Sequence, residues 1–119
     1  MGPATRNLIL AIVMAAFCGS GAFADAIEGM WKRPASKGGT LEQIAACGNA
    51  YCVTVRSGKF NGKIAGKFKK DGNQYVGEIT DLAKKKTYSG SMVMQGANKL
   101  KMSGCVMKVL CSREIWTRQ

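Results

Sequence analysis

The sequence predicts an all-β fold: a small antiparallel β-barrel of about eight short strands, preceded by a segment that is cleaved off. Three observations carry this. Apolar and polar residues alternate with period two through most of the second half of the chain, as strand side chains do. Turn signals built from Gly, Asn and Asp separate these runs at the spacing of an up-and-down barrel or sandwich. No segment carries a convincing apolar stripe at helical spacing.

Residues 1–24 have the pattern of a secretory signal peptide. Arg6 gives a positive start, Leu8 to Phe17 is unbroken apolar sequence, and Ala22-Phe23-Ala24 is an A-x-A cleavage site. The apolar run is shorter than the roughly 20 residues that span a bilayer. The A-x-A site disfavours the rival reading, an uncleaved anchor. Cys18 follows Phe17, where a lipoprotein signal wants a small residue. The expected mature chain starts at Asp25, has no transmembrane helix, and is periplasmic or secreted.

Residues 25–119 then form one domain with one modest core. Cleavage removes Arg6 and no acid, leaving 17 basic against 7 acidic side chains, a net charge of +10. Such a charge favours anionic partners.

The strands follow in order. "GMW" opens the first. "TLEQIAAC" reads as a strand, although Thr40 with Glu42-Gln43 behind it can also cap a short helix. "YCVTVRSG" follows the "CGNA" turn, with Val53 and Val55 alternating against Cys52, Thr54 and Arg56. In "GKFNGKIAGKFKK" the alternation puts Phe60, Ile64 and Phe68 on one face, and Lys59, Lys63, Lys67 and Lys69 on the other. Asp71-Gly72-Asn73 turns the chain. "QYVGEITDL" places Tyr75, Gly77 and Ile79 together. After the charged connection "DLAKKKT", "TYSGSMVMQ" places Tyr88, Gly90, Met92 and Met94 together. "QGAN" turns again. "KLKMSGCVM" alternates Lys99 and Lys101 with Leu100 and Met102. "REIWTRQ" sets Glu114, Trp116 and Arg118 against Arg113, Ile115 and Thr117.

Four cysteines remain in residues 25–119: Cys47, Cys52, Cys105 and Cys111. An exported core this small needs disulfides. The short spacings favour Cys47–Cys52 and Cys105–Cys111, with a crossed pairing still open. Zinc is disfavoured: the spacings are not C-x2-C and the chain has no His.

Gly29-x-Trp31 at the start of the mature chain is matched by Trp116-x-Arg118 at its end. In lipocalin-like barrels a G-x-W stands on or just before the first strand. Its Trp plugs one end of the barrel under a basic side chain from the last strand. An indole fills the large volume such a plug needs. Gly allows the sharp entry, and a guanidinium over the ring adds a cation–π contact. Arg113 and Arg118 are both candidates for that cover.

"EGMW", "EQIAACGNAYCVTV", "GKFKKDGNQYVGEITDLAKKKTYSGSM" and "KLKMSGCVMKVLCSREIWTR" together resemble the exported bacterial DUF2147 family over nearly all of Ile27 to Arg118. The C-terminal block is the most specific part: Lys-Thr-Tyr-Ser-Gly, then L-x-M-x-G-C, then L-C-x-x-x-x-W-T-R. The resemblance implies a lipocalin-like β-barrel, pairing of the nearby cysteines, and export. It implies no activity, because the family's function is not established. Two connections depart from the family. "RSGKFNGKIAGKF" replaces a longer one rich in Pro, Asn and Asp. Asp81 to Lys86 replaces an acid-Pro-x-x-Gly turn.

The sequence offers little chemistry. Without His it lacks the commonest general base and metal ligand. The acids form no recognisable catalytic pair. Glu78 and Glu114 lie in strands among apolar neighbours; one could face inward and bind a ligand cation, but an outward, solvated position or a pairing with Lys or Arg is the better expectation. No serine has a base beside it. The expectation is a protein that is not an enzyme and carries no cofactor and no metal. Phe60, Phe68, Tyr75, Tyr88, Met92, Met94 and Met102 are the predicted barrel interior, which either fills itself or holds a small apolar or amphipathic ligand. The alternative function is binding of an anionic envelope component, lipid headgroup or protein partner through Lys59, Lys63, Lys67 and Lys69. Nucleic acid is disfavoured, because the aromatics and lysines of this segment fall on opposite faces. Ligand identity and oligomeric state are not legible.

Overall fold

A computed structural model describes residues 25–107 and 109–119. The predicted signal peptide, with Cys18, lies outside the described residues. Eight strands form one closed antiparallel barrel in simple chain order. They are β1 (Gly29–Lys32), β2 (Leu41–Cys47), β3 (Ala50–Val55), β4 (Ile64–Asp71), β5 (Gln74–Asp81), β6 (Lys86–Met94), β7 (Lys99–Val106) and β8 (Leu110–Arg118). β8 closes on β1 through the pairs Trp31 with Arg118 and Lys32 with Thr117. Closure removes every sheet edge, so each strand has a partner on both sides. "LEQIAAC" is a strand, not a helix. Among the described residues a single 3-10 turn, Ala35–Lys37, interrupts the β structure.

Inward residues follow the predicted alternation in most strands. Trp31, Ile44, Val53, Phe68, Tyr75, Met92, Leu100, Met102 and Trp116 form one buried core. A row of small residues runs across four strands, β5 to β8, starting beside Phe68 on β4. Phe68 pairs with Gly77, Gly77 with Gly90, Gly90 with Gly104, and Gly104 with Ser112. The Phe68 ring fills the space this row vacates. A Cβ on Gly90 would lie 3.0 Å from the ring, and one on Gly77 would run into the backbone of Lys67 and Phe68. The bare backbone lets the sheet coil tightly, and the aromatic ring covers it.

The "GKFNGKIAGKFKK" segment departs from expectation. Only its second half is a strand, and residues 59–62 form turns that lead into it. Val53 pairs with Gly66 but Thr54 pairs with Ile64, so Ala65 is an extra residue in a β-bulge. A bulge reverses the facing of everything before it. Ala65 and Gly66 are therefore both buried, and Ile64 points outward, 60% exposed. Lys59 and Lys63 stand in the β3–β4 connection, while Lys67 and Lys69 lie on the outer face of β4. The four lysines do not form one strand stripe.

Candidate functional site

The two ends of the barrel are built differently. At one end the chain entering β1 folds across the opening. Trp31 and Ile27 are fully buried there. The Trp31 indole N–H donates to the Ile27 carbonyl at 2.9 Å. Arg118 lies over the indole face, 4.3 Å from its centre. Arg113 does not share this role: it is exposed on β8 opposite Ser103. Below the plug, Tyr51 and Tyr75 meet edge to face at 5.4 Å. Both phenols donate to Asp25, as does Lys70. Burial works to raise the Asp25 pKa, but the Tyr75 and Lys70 donors and the Ile27 N–H outweigh it and hold the carboxyl below its ordinary value. Burial and the neighbouring Asp25 push the Tyr75 phenol up.

The opposite end is open. The connections β1–β2, β3–β4, β5–β6 and β7–β8 all lie there, as an up-and-down order requires. Between them a pocket of about 500 Å³ enters the barrel. Its apolar wall includes Val55, Phe60, Ile79, Tyr88, Met102 and Trp116, and its polar wall includes Arg33, Thr40, Glu42 and Glu114. Arg33 grips Glu114 with two hydrogen bonds, at 2.7 and 3.1 Å. The Trp116 indole N–H also donates to Glu114, at 2.7 Å. The Thr40 hydroxyl donates to Glu42 at 2.9 Å. Glu42 is only 3% exposed.

Two carboxylates thus share the field of one guanidinium, with opposite results. Burial pushes Glu42 up, and the charge of Glu114 adds to it, against the Thr40 bond and the Arg33 charge. Burial works to raise Glu114 too, but the Arg33 and Trp116 hydrogen bonds hold it below its ordinary value. Burial works to lower the Arg33 pKa, and the Glu114 contact more than reverses this.

Of the predicted interior residues, Phe60, Tyr88 and Met102 line this pocket. Phe68, Tyr75 and Met92 are buried in the core, and Met94 packs against it. They fill the closed half of the barrel and do not reach the pocket. Alternation fixes which way a side chain faces but not how deep along the barrel it sits. Glu114 is a partner for Arg33, one of the two expected outcomes, although it faces inward, and Glu78 is exposed, the other. Arg33, Thr40 and Glu42 were not singled out from the sequence. The available signal was parity, since Arg33 is two residues from inward Trp31 and Glu42 two from inward Ile44.

Cys47–Cys52 staples the β2–β3 turn at the closed end, and Cys105–Cys111 the β7–β8 turn at the open end. The pairs lie at opposite ends of the barrel, which removes the crossed alternative. Among the described residues no three His, Cys, Asp or Glu side chains gather as a metal site.

A family model for DUF2147, described as an uncharacterized protein conserved in bacteria, matches residues 58–118, half of the chain. The chain belongs to the DUF2147 family. In this DUF2147 protein the matched span holds β4 to β8, and with them the glycine row, Glu114, Trp116 and Arg118. Gly29, Trp31, Arg33 and Glu42 lie before it and complete the plug and the polar wall. A search of curated proteins gives no match.

Proposed function

We propose that this DUF2147 barrel is an exported, non-enzymatic binding module for a small amphipathic molecule. The observation that carries it is the asymmetry of the interior. One half is packed solid around Phe68, Met92 and Trp31, while the other keeps a pocket of about 500 Å³. That size lies in the range that takes a small ligand. The pocket wall is divided to suit an amphiphile: an apolar body rests on Tyr88, Ile79 and Met102, and a polar group meets Arg33, Glu42 and Glu114. The polar side chains are already hydrogen-bonded to one another, so they are fixed in place before a ligand arrives.

Export is supported by the A-x-A site and by both disulfides. The closed end adds geometry. The Asp25 backbone nitrogen donates to Glu28 at 3.0 Å, so cleavage after Ala24 would put a new α-ammonium against a carboxylate. Non-enzymatic binding is favoured because the three acids that line the pocket are already engaged, Glu114 by Arg33, Glu42 by the Thr40 hydroxyl and Asp81 by the Lys84 backbone N–H.

The test is titration of residues 25–119, which contain every strand of the barrel, with a fluorescent anionic amphiphile. The reading predicts saturable binding that competing amphiphiles displace. Gly104→Leu should abolish it, because the nearest neighbours of a Cβ there, Tyr88 and Ile79, stand at ordinary contact distances of 3.4 and 3.6 Å and the longer side chain then fills the pocket. Equal binding by a folded Gly104→Leu protein overturns the proposal.

A further inference from the structure

The open end carries a second surface, around the mouth of the pocket. Three of its four connections, residues 33–40, 56–63 and 82–85, contain no Asp or Glu. They present Lys37, then Lys59 and Lys63, then Lys84 and Lys85, all exposed. Asp81, at the end of β5, is tied back into its own turn by the Lys84 backbone N–H at 3.0 Å. The fourth connection is different in kind. The tip of the β7–β8 hairpin exposes Met107, Val109 and Leu110, at 86, 79 and 75%. The Cys105–Cys111 bond holds this tip together. Met107 keeps a positive φ of 54° at the turn.

Three large apolar side chains at the end of a stapled hairpin lower the solubility of a surface loop. They do not pack on the barrel core. An apolar tip beside a ring of lysines matches one partner by charge and polarity: an anionic lipid bilayer. There the tip enters the headgroup and acyl boundary while the ammonium groups meet lipid phosphates. We propose that the open end of the barrel docks on anionic membrane surfaces through Met107, Val109 and Leu110, with the rim lysines as electrostatic anchors. Met107, Val109, Leu110, Lys59, Lys63 and Lys85 lie outside the pocket wall, while Lys37 and Lys84 belong to both the rim and the pocket; the docking does not depend on the pocket holding a ligand.

The experiment is co-sedimentation of residues 25–119 with vesicles of phosphatidylglycerol and phosphatidylethanolamine, and separately with phosphatidylcholine vesicles. Binding is expected to the anionic vesicles only, and to weaken as salt rises. Combined Met107→Ser, Val109→Ser and Leu110→Ser changes should lower the partition coefficient at least tenfold. So should combined Lys59→Gln and Lys63→Gln changes, which leave the pocket wall untouched, since each lysine near an anionic surface is worth roughly fivefold. Val109→Trp supplies an independent readout in an intact tip. Its emission should shift to the blue on anionic vesicles and be quenched by brominated lipid. Wild-type protein that ignores anionic vesicles, tip or lysine variants that bind as well as wild type, or a Val109→Trp emission that does not move, each overturns the proposal.

Discussion

Arg118 lies across Trp31, its guanidinium carbon 4.3 Å from the centre of the indole ring. The same side chain donates to the carbonyls of Glu28 and Ala26 in the entering segment and to that of Ala97 in the β6–β7 turn. One residue thus covers the plug and ties three segments of the closed end together. It also accounts for Gly29: a Cβ there would stand 2.7 Å from the Arg118 Nη1, and its φ of +136° disfavours any other residue. Gly29, Trp31 and Arg118 are one device assembled from both ends of the chain. Arg118→Ala should destabilise the barrel by about 2–3 kcal/mol, through a lost cation–π contact and several hydrogen bonds. Trp31→Ala should remove about 3–5 kcal/mol. Denaturant unfolding checks both.

The glycine row predicts an ordered pair of effects. At Gly77 the obstacle is backbone, which cannot yield, whereas at Gly90 it is the Phe68 ring at 3.0 and 3.1 Å. Gly77→Ala should therefore destabilise by about 3 kcal/mol or more and Gly90→Ala by about 1 kcal/mol. Equal thermal shifts in the two variants would contradict the packing described for Phe68.

Non-reducing peptide mapping should recover Cys47 linked to Cys52 and Cys105 linked to Cys111. Each bond closes a loop of only a few residues, with sequence separations of 5 and 6, so each contributes about 2 kcal/mol. Serine replacement of either pair should lower stability by that amount. A Cys47–Cys105 peptide would contradict the barrel itself.

The polar wall of the pocket should show opposite pH signatures at its two glutamates. Glu42 is raised by burial, so the folded state holds its proton more tightly than the unfolded chain does. Its contribution to stability falls as pH rises from the ordinary glutamate range through the raised value. Glu42→Gln should then stabilise the protein at neutral pH, by on the order of 1 kcal/mol, with the gain vanishing in acid. Glu114 is held low by Arg33. Its contribution is complete above the ordinary glutamate value and is lost as pH falls through the depressed one. Glu114→Gln should lower stability at neutral pH by about 2 kcal/mol. Thermal melts of both variants between acid and neutral pH check these signs.

Local signals made the barrel legible before any coordinates. Strict alternation in "TYSGSMVMQ" and "KLKMSG" fixed which residues face in, and cysteines five and six positions apart could pair across single turns. G-x-W and W-x-R announced the plug because each fits a large ring to a special neighbour. What failed had two physical causes. Alternation runs on unbroken through a bulge that sequence does not mark, so Ala65 turned Ile64 outward and left Phe60 in a connection. Depth along the barrel has no period at all, so Met92 and Met102 look alike in sequence although only Met102 also reaches the pocket wall. The Arg33–Glu114 pair spans 81 positions and becomes visible only when β1 and β8 close the barrel.

The central claim is that the open half of the barrel holds a ligand. Its most direct test is native mass spectrometry of the protein recovered from bacteria that produce it, beside the Gly104→Leu variant prepared in parallel. A reproducible added mass on the wild-type protein, absent from the folded variant, is the predicted result. A wild-type protein that carries no added mass and also takes up none of the amphiphiles offered to it would contradict the account.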